Sequence, residues 1–184
     1  ELDAAIDLLD ELVEKGLARQ ADSSNYDVHD LVREFLVLSM EEGLRQELHG
    51  NAVNWYRNRK TSATDRIELI HHLHNSDKID ELTKILSTEG HTLVQAGHTE
   101  LLGILRALDR EGFDSKSWGV VRELRGDILS IQGRWDEAEK EYDAAIPIAK
   151  KNKQSKELAR LLSSRADFCL LYTSPSPRDG LLSR

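Results

Sequence analysis

The sequence predicts a mainly α-helical protein: one short β-hairpin near the N-terminus, then an α-solenoid of antiparallel helix pairs. Apolar residues recur at three- and four-residue steps along most of the 184 residues, which is the period of an amphipathic helix. Aromatic residues make up only 5% of the chain and there are three prolines, so little interrupts these helices. With 39% apolar and 32% charged residues, the composition favours thin layers of helices over one deep core.

The first sixty residues predict a helix, a hairpin and two further helices. Gly16 is expected to end the first helix as a C-cap glycine, and the turn-forming residues 22–25 predict the hairpin. We expect Asp30 to cap the second helix, because an acidic group there satisfies free amides and the helix dipole. Helix, hairpin, helix is the order found at the end of a winged-helix domain, so residues 1–60 are predicted to be a partial winged helix and the helix after it. The apolar positions are Leu2, Ala5, Ile6, Leu9, Leu12 and Val13; Leu31, Phe35, Leu36 and Met40; and Leu44, Leu48, Ala52, Trp55 and Tyr56.

Residues 61–115 predict short helical linker repeats. The polar stretch 57–64 before them is typical of a solvated linker, and Thr64 is expected to cap the next helix. Glycines are expected to punctuate the helices, and none of these helices buries its apolar face alone, so we expect them to stack. The apolar stripes are Ile67, Ile70 and Leu73; Ile79, Leu82, Ile85 and Leu86; and Leu101, Leu102, Leu105 and Leu108; the glycines are Gly90, Gly97, Gly103 and Gly112.

Residues 116–170 carry the most regular pattern. Small residues at 126 and 138 allow two helices to approach closely, Gly133 ends the first helix, and Tyr142 fills the groove between them. The whole set is Gly126, Leu129, Gly133, Ala138, Tyr142 and Ala145. This pattern, and above all the run from Gly133 to Ala138, resembles a tetratricopeptide repeat, which implies binding of a protein or peptide. A second repeat is predicted to begin at Ser155, with Ala166 in the position of Gly126.

The last residues depart from this pattern. From Cys169 the helical period is lost, and the segment resembles translated adapter sequence, so residues 171–184 are predicted to be a disordered and non-native tail; a natural flexible linker is the alternative. Cys169 is the only cysteine, which excludes a disulfide and a cysteine zinc site.

A short motif at the second helix points to a family. The stretch from Tyr26 to Leu36 resembles the winged-helix segment of signal-transduction ATPases with numerous domains (the STAND class, which includes NB-ARC proteins), where a signature ending in His-Asp opens a helix. Val28-His29-Asp30 matches it, with Val in place of the commoner Met. The resemblance implies that His29 senses bound ADP and that Asp30 supports it, in a full-length parent that binds ATP or ADP. The alternative is a polar His29 at a helix start, with Asp30 as a simple cap.

No catalytic site is expected in this chain, which lacks the Gly-x-x-x-x-Gly-Lys-Ser/Thr phosphate-binding loop. The chain begins at Glu1 without an initiator Met, so we expect a fragment, and the resemblance implies an upstream ATPase domain in intramolecular contact with it. The repeats are then expected to sense a partner or inducer. A winged-helix transcription regulator with a repeat sensor, and a plain tetratricopeptide scaffold, remain alternatives.

The charge distribution and the positions of the histidines limit which other ligands are expected. The net charge is −8, and residues 1–50 hold 13 acidic against four basic residues, so binding of nucleic acid is not expected. His71, His72 and His74 lie near Glu68 and Asp77, but incidental surface histidines are favoured and no metal site is assigned. No apolar run approaches 18 residues and no secretory leader is present, which predicts a cytoplasmic protein without membrane contact.

Overall fold

The structure, a computed structural model, describes residues 2–21, 26–59 and 62–173, with side chains described between residues 6 and 166 of these ranges. The predicted mainly helical fold with one small antiparallel sheet is confirmed. The described elements are α1 (Leu2–Glu14), β1 (Ala18–Gln20), β2 (Tyr26–Val28), α2 (Asp30–Ser39), α3 (Glu42–Arg57), α4 (Ala63–Asn75), α5 (Ile79–Gln95), α6 (Leu101–Ala107), α7 (Ser115–Ile131), α8 (Trp135–Lys151) and α9 (Ser155–Thr173). The chain divides into two compact units, Glu1–Leu48 and His49–Arg184.

The hairpin of the first unit pairs β1 with β2 antiparallel, with Arg19 opposite Asp27. The Asp27 carboxylate accepts a hydrogen bond from the Arg19 guanidinium at 2.9 Å across the pair. The Tyr26 hydroxyl donates to Asp10 of α1 at 2.9 Å and so ties the hairpin to that helix. Gly16, with φ +68°, follows α1 as predicted. The turn residues 22–25 lie outside the described residues.

The N-terminus of α2 corrects one sequence prediction. His29, not Asp30, is the capping residue, and its Nδ1 accepts a hydrogen bond from the Leu31 amide at 3.3 Å. Asp30 is already the first helical residue, so it is not at the position whose side chain reaches the free amides. Its carboxylate instead lies 3.4 Å from the Arg33 guanidinium and is 91% exposed.

The core of the second unit is aliphatic and runs from the second half of α3 to the start of α9. Its fully buried members include Val53, Leu69, Ile70, Leu73, Leu82, Leu86, Leu101, Leu105, Leu124, Ile128 and Leu129. The stacking expected from the short amphipathic helices is therefore what buries their apolar faces. Within the described ranges, no helix has both the length and the apolar character needed to cross a membrane.

The start of α4 corrects a second prediction, because Ser62 rather than Thr64 is its cap. The Ser62 hydroxyl accepts from the Asp65 amide at 3.1 Å, and the Asp65 carboxylate accepts from the Ser62 amide at 3.1 Å. This reciprocal capping box satisfies two amides at once, which a single threonine hydroxyl cannot do. Thr64 lies inside the first turn.

Two of the glycines expected to end helices lie inside them instead. Gly90 is within α5 and Gly103 is within α6, whereas Gly97 and Gly112 have φ +94° and +89° and lie between helices. A Cβ on Gly90 would lie 2.6 Å from Cδ1 of Leu124, so this glycine lets α5 approach α7 closely.

The α7–α8 pair has the close approach that the spacing of small residues predicted. Gly133, with φ +72°, lies in the turn between the helices. A Cβ on Gly126 would lie 2.6 Å from Cε1 of Tyr142, whose side chain is buried in the groove. Gly119 faces Ile148 further along the pair, so residues early in α7 meet residues late in α8, as in an antiparallel pair.

A buried arginine joins α6 to α7. The Arg125 guanidinium donates from Nε to the Leu105 carbonyl at 3.0 Å and from Nη2 to the Leu108 carbonyl at 3.1 Å. These carbonyls lie at the end of a helix of only seven residues, where the Leu105 carbonyl also accepts from the Leu108 amide, and the guanidinium supplies further donors.

The final described helix begins at Ser155, where the second repeat was predicted to start. It continues through Thr173, beyond Cys169, where we expected the helical pattern to break. Residues 174–184, most of the predicted tail, lie outside the described residues.

Candidate functional site

A groove in the second unit is the candidate site, with a cavity of about 310 Å³ between α5, α7, α8 and α9. Val94, Ile131 and Trp135 form an apolar wall. The remaining lining residues are polar and are called the floor here: His91, Gln95, Asp127, Ser130, Tyr142, Arg160 and Ser164. An apolar wall beside a few fixed polar groups is typical of a binding pocket.

A buried carboxylate beneath the floor is held by an arginine from α9. Glu123 is only 2% exposed, and its carboxylate accepts from both Nε and Nη2 of Arg160, the second at 2.8 Å. Burial raises the pKa of Glu123, but the hydrogen bond from Arg160 and the nearby His91 outweigh it and lower that pKa below its usual value. The carboxylate therefore remains charged and fixes α9 against α7.

His91 of α5 lies between two carboxylates of α7. Its Nδ1 is 3.2 Å from Oδ2 of Asp127, and its buried Nε2 is 3.6 Å from Oε2 of Glu123. Burial alone lowers the pKa of His91, but the hydrogen bond with Asp127 and the negative charge of Glu123 dominate and raise it to about 9. The imidazole is therefore a cation at neutral pH, and it joins α5 to α7.

Tyr142 extends this network to α8. Its hydroxyl donates a hydrogen bond to Oδ1 of Asp127 at 2.8 Å, so one carboxylate holds both Tyr142 and His91. Burial and the negative charge of Asp127 raise the pKa of the phenol, which stays neutral. Together with the buried Glu123, the charged groups of the floor alternate in sign in the order Arg160, Glu123, His91, Asp127, and their charges balance.

Part of the apolar wall is open to solvent, although Val94 is buried. Ile131 is 57% exposed, and Trp135, which is partly buried, follows it across the turn at Gly133. A bulky side chain entering the groove would remove these surfaces from water, at a gain of roughly 25 cal/mol for each Å² buried. The groove is therefore suited to a peptide ligand, whose apolar side chain would contact the wall and whose polar backbone would lie beside the floor.

The repeat role of the residues assigned to it stays a prediction, and the structure shows where their side chains lie. Leu129, Ala138 and Ala145 are buried, and Gly126 and Tyr142 meet as described. Sequence reasoning identified Tyr142 as a packing residue, but it did not identify His91, Asp127 or Arg160 as parts of a site. These residues come from three helices, and no local spacing marks them.

His29 and Asp30 lie at a second cavity, of about 280 Å³, within the first unit. Arg19 and Asp27 line it as well, and these two form the ion pair described above. The nucleotide-sensing role implied for His29 and Asp30 stays a prediction. In this chain His29 caps α2 and Asp30 pairs with Arg33.

Three histidines of the second unit come together, although the sequence did not predict it. His49 of α3 meets His71 and His72 of α4, with candidate ligand nitrogens all within 4.8 Å of one another. Burial and the two neighbouring imidazoles lower the pKa of His72 to about 4. His74, Glu68 and Asp77, which the sequence placed near this group, are not members of the cluster. The sequence did not predict that α3 packs against α4, and such a prediction could have added His49.

Comparisons of the chain with protein-family models, with curated proteins and with solved structures gave no match in any of the three.

Proposed function

We propose that this chain is a regulatory protein-interaction module whose helical unit binds a short segment of a partner protein in the α5–α7–α8–α9 groove. The observation that carries the proposal is the open apolar wall of Ile131 and Trp135 beside a charge-balanced polar floor. The resemblance of the α7–α8 pair to a tetratricopeptide repeat supports the same function, because such repeats present grooves to peptides.

The chemistry of the groove defines the segment it would take. The charges of Arg160, Glu123, His91 and Asp127 already neutralise one another, so a charged side chain would lose hydration and gain little. A leucine or an aromatic side chain would instead gain from contact with the wall. The proposed ligand is an uncharged peptide segment with one bulky apolar anchor.

The wider proposal is that the module belongs to a signalling ATPase of the STAND class. The match at Val28-His29-Asp30 supports it, and so does an uncovered apolar face on α2. Leu31, Phe35 and Leu38 lie on one face of α2 and are 69%, 68% and 78% exposed. A face of this kind marks a surface for another protein or domain, and the upstream ATPase domain is the proposed cover. The chain itself would then bind no nucleotide and hydrolyse none.

Display selection of random peptides on the purified chain tests the binding function. Wild type is expected to enrich peptides with an apolar anchor, which bind at least about tenfold more weakly to Ile131→Asp, since a charge in the wall opposes apolar contact. Leu162→Asp is the matched control, because Leu162 is an exposed apolar residue of α9 outside the groove. Selection without enrichment, or equal weakening in both variants, contradicts the proposal.

The switch function has a separate test. Sequencing of the gene upstream of Glu1 is expected to reveal a phosphate-binding loop in the same reading frame, and the purified chain is expected to leave ATP intact. ATP hydrolysis by the chain alone would contradict this part of the proposal without affecting the groove.

A further inference from the structure

Three imidazoles meet at the contact between α3 and α4. The ring centres of His49 and His71 are 5.7 Å apart, those of His49 and His72 are 5.0 Å apart, and those of His71 and His72 are 5.3 Å apart. The Nδ1 atoms of His49 and His72 approach to 2.7 Å, a hydrogen-bond distance at which one nitrogen must carry a proton and the other accept it. Without such a proton, their lone pairs would face each other and repel.

A divalent metal ion can replace that proton. Histidine nitrogens bind Zn²⁺ at about 2.0–2.1 Å in a tetrahedral arrangement, which places the ligand nitrogens about 3.4 Å from one another. The candidate nitrogens here lie within 4.8 Å of one another and include the pair at 2.7 Å, so the spacing required lies inside the range observed.

The rings are also held by their surroundings. The Tyr56 ring stacks on His72 with ring centres 5.5 Å apart and an interplanar angle of 24°. Side chains packed against a ligand restrict its ring orientation, which favours metal binding because less freedom is lost.

We infer that His49, His71 and His72 form a binding site for a divalent transition ion of the Zn²⁺ type, with a fourth position left for water. Imidazole is a borderline donor that suits Zn²⁺, Co²⁺, Ni²⁺ and Cu²⁺ and does not suit Ca²⁺ or Mg²⁺. Because His49 belongs to α3 and the other two ligands to α4, the bound ion cross-links these helices within the second unit. The site is independent of the groove and of the function proposed for it.

Titration of the untagged chain with Zn²⁺ against a chromophoric chelator tests the site. One ion is expected to bind per chain, and His49→Gln, His71→Gln and His72→Gln are each expected to weaken binding at least about tenfold. His74→Gln is the matched control, because His74 lies on the same helix but outside the cluster. No stoichiometric binding, or equal weakening by His74→Gln, would overturn the inference.

Addition of Co²⁺ to the wild-type chain tests the same site without any substitution. Addition of Co²⁺ is expected to broaden or shift the imidazole proton signals of His49, His71 and His72, while those of His98 remain unchanged. The same ion should give the intense visible absorption of tetrahedral Co²⁺. Uniform effects on all histidines, or an octahedral spectrum like that of free Co²⁺, would show that the cluster is not a site.

Discussion

The imidazole of His91 lies 3.2 Å from the Asp127 carboxylate, although 36 residues separate them in the chain. This contact joins α5 to α7. Asp127 also accepts a hydrogen bond from the Tyr142 hydroxyl, which joins α7 to α8. The floor of the groove therefore contains charged groups whose partners come from different helices. Its protonation state and the packing of the helical unit depend on each other.

The stability of the helical unit should fall in alkaline solution. The pKa of His91 is about 9 in the folded chain and about 6.5 when unfolded, so its contribution is complete below pH 6.5 and is lost as pH rises through 9. The full loss is about 3 kcal/mol. Urea unfolding followed by circular dichroism between pH 6.5 and 9.5 measures it. His91→Gln should remove this slope and His98→Gln should keep it; parallel curves for wild type and His91→Gln would be inconsistent with a charged His91.

Removal of the buried carboxylate should cost more than removal of an exposed one. Glu123→Gln leaves His91 and Arg160 without the negative charge they share, which should lower the free energy of unfolding by about 2–3 kcal/mol. Glu100→Gln removes the exposed partner of His98 and should cost below about 1 kcal/mol. Denaturant midpoints at pH 7 compare the two variants. Equal small losses would mean that the network contributes no net stability.

Gly126→Ala should destabilise the α7–α8 pair. The new Cβ would lie 2.6 Å from the buried Tyr142 ring, which Asp127 holds in place. Overpacking costs about 1–3 kcal/mol, more than the gain of about 1 kcal/mol in helix propensity. Gly103→Ala is the control, since no atom beyond its chain neighbours and its own helix backbone lies within 4 Å of its Cβ position, and it should stabilise the protein by up to about 1 kcal/mol. Thermal unfolding of both variants checks the opposite signs, and a stable Gly126→Ala protein would refute the close approach.

The apolar face of α2 should cause the isolated chain to self-associate. Phe35→Ser combined with Leu38→Ser should reduce self-association and the binding of a hydrophobic dye, because both side chains are exposed in this chain. Leu162→Ser changes an exposed apolar residue elsewhere and should have little effect. Analytical ultracentrifugation and dye fluorescence provide the readouts. If the double variant behaves like wild type, α2 is not an interaction surface.

The parts of the fold that depend on local spacing were predictable. The step from Gly126 to Tyr142 spans one helix pair, so the sequence was enough to place the small residue opposite the bulky one. Gly133 could be assigned to a turn because it lies between two amphipathic stripes. Capping was predicted less well, because Ser62 and Thr64 are both good caps and only the reciprocal bond with Asp65 distinguishes them.

The parts that depend on contacts between distant helices were not predictable. Gly90 looks like a helix break in the sequence, and only the position of Leu124 shows that it permits helix packing. His91 precedes Glu123 in the chain by 32 residues and Arg160 follows it by 37, yet both lie beside its carboxylate. Burial of that carboxylate follows from three-dimensional packing, and a charged residue in an amphipathic helix is normally expected on the solvated face.

The central claim is that the groove beside Trp135 binds an apolar peptide segment, and chemical-shift mapping of the ¹⁵N-labelled chain with a selected peptide tests it most directly. The claim predicts saturable shifts concentrated at Val94, Ile131 and Trp135, with little change along α3 and α4. Shifts concentrated on another surface, or an absence of saturable change, would contradict it.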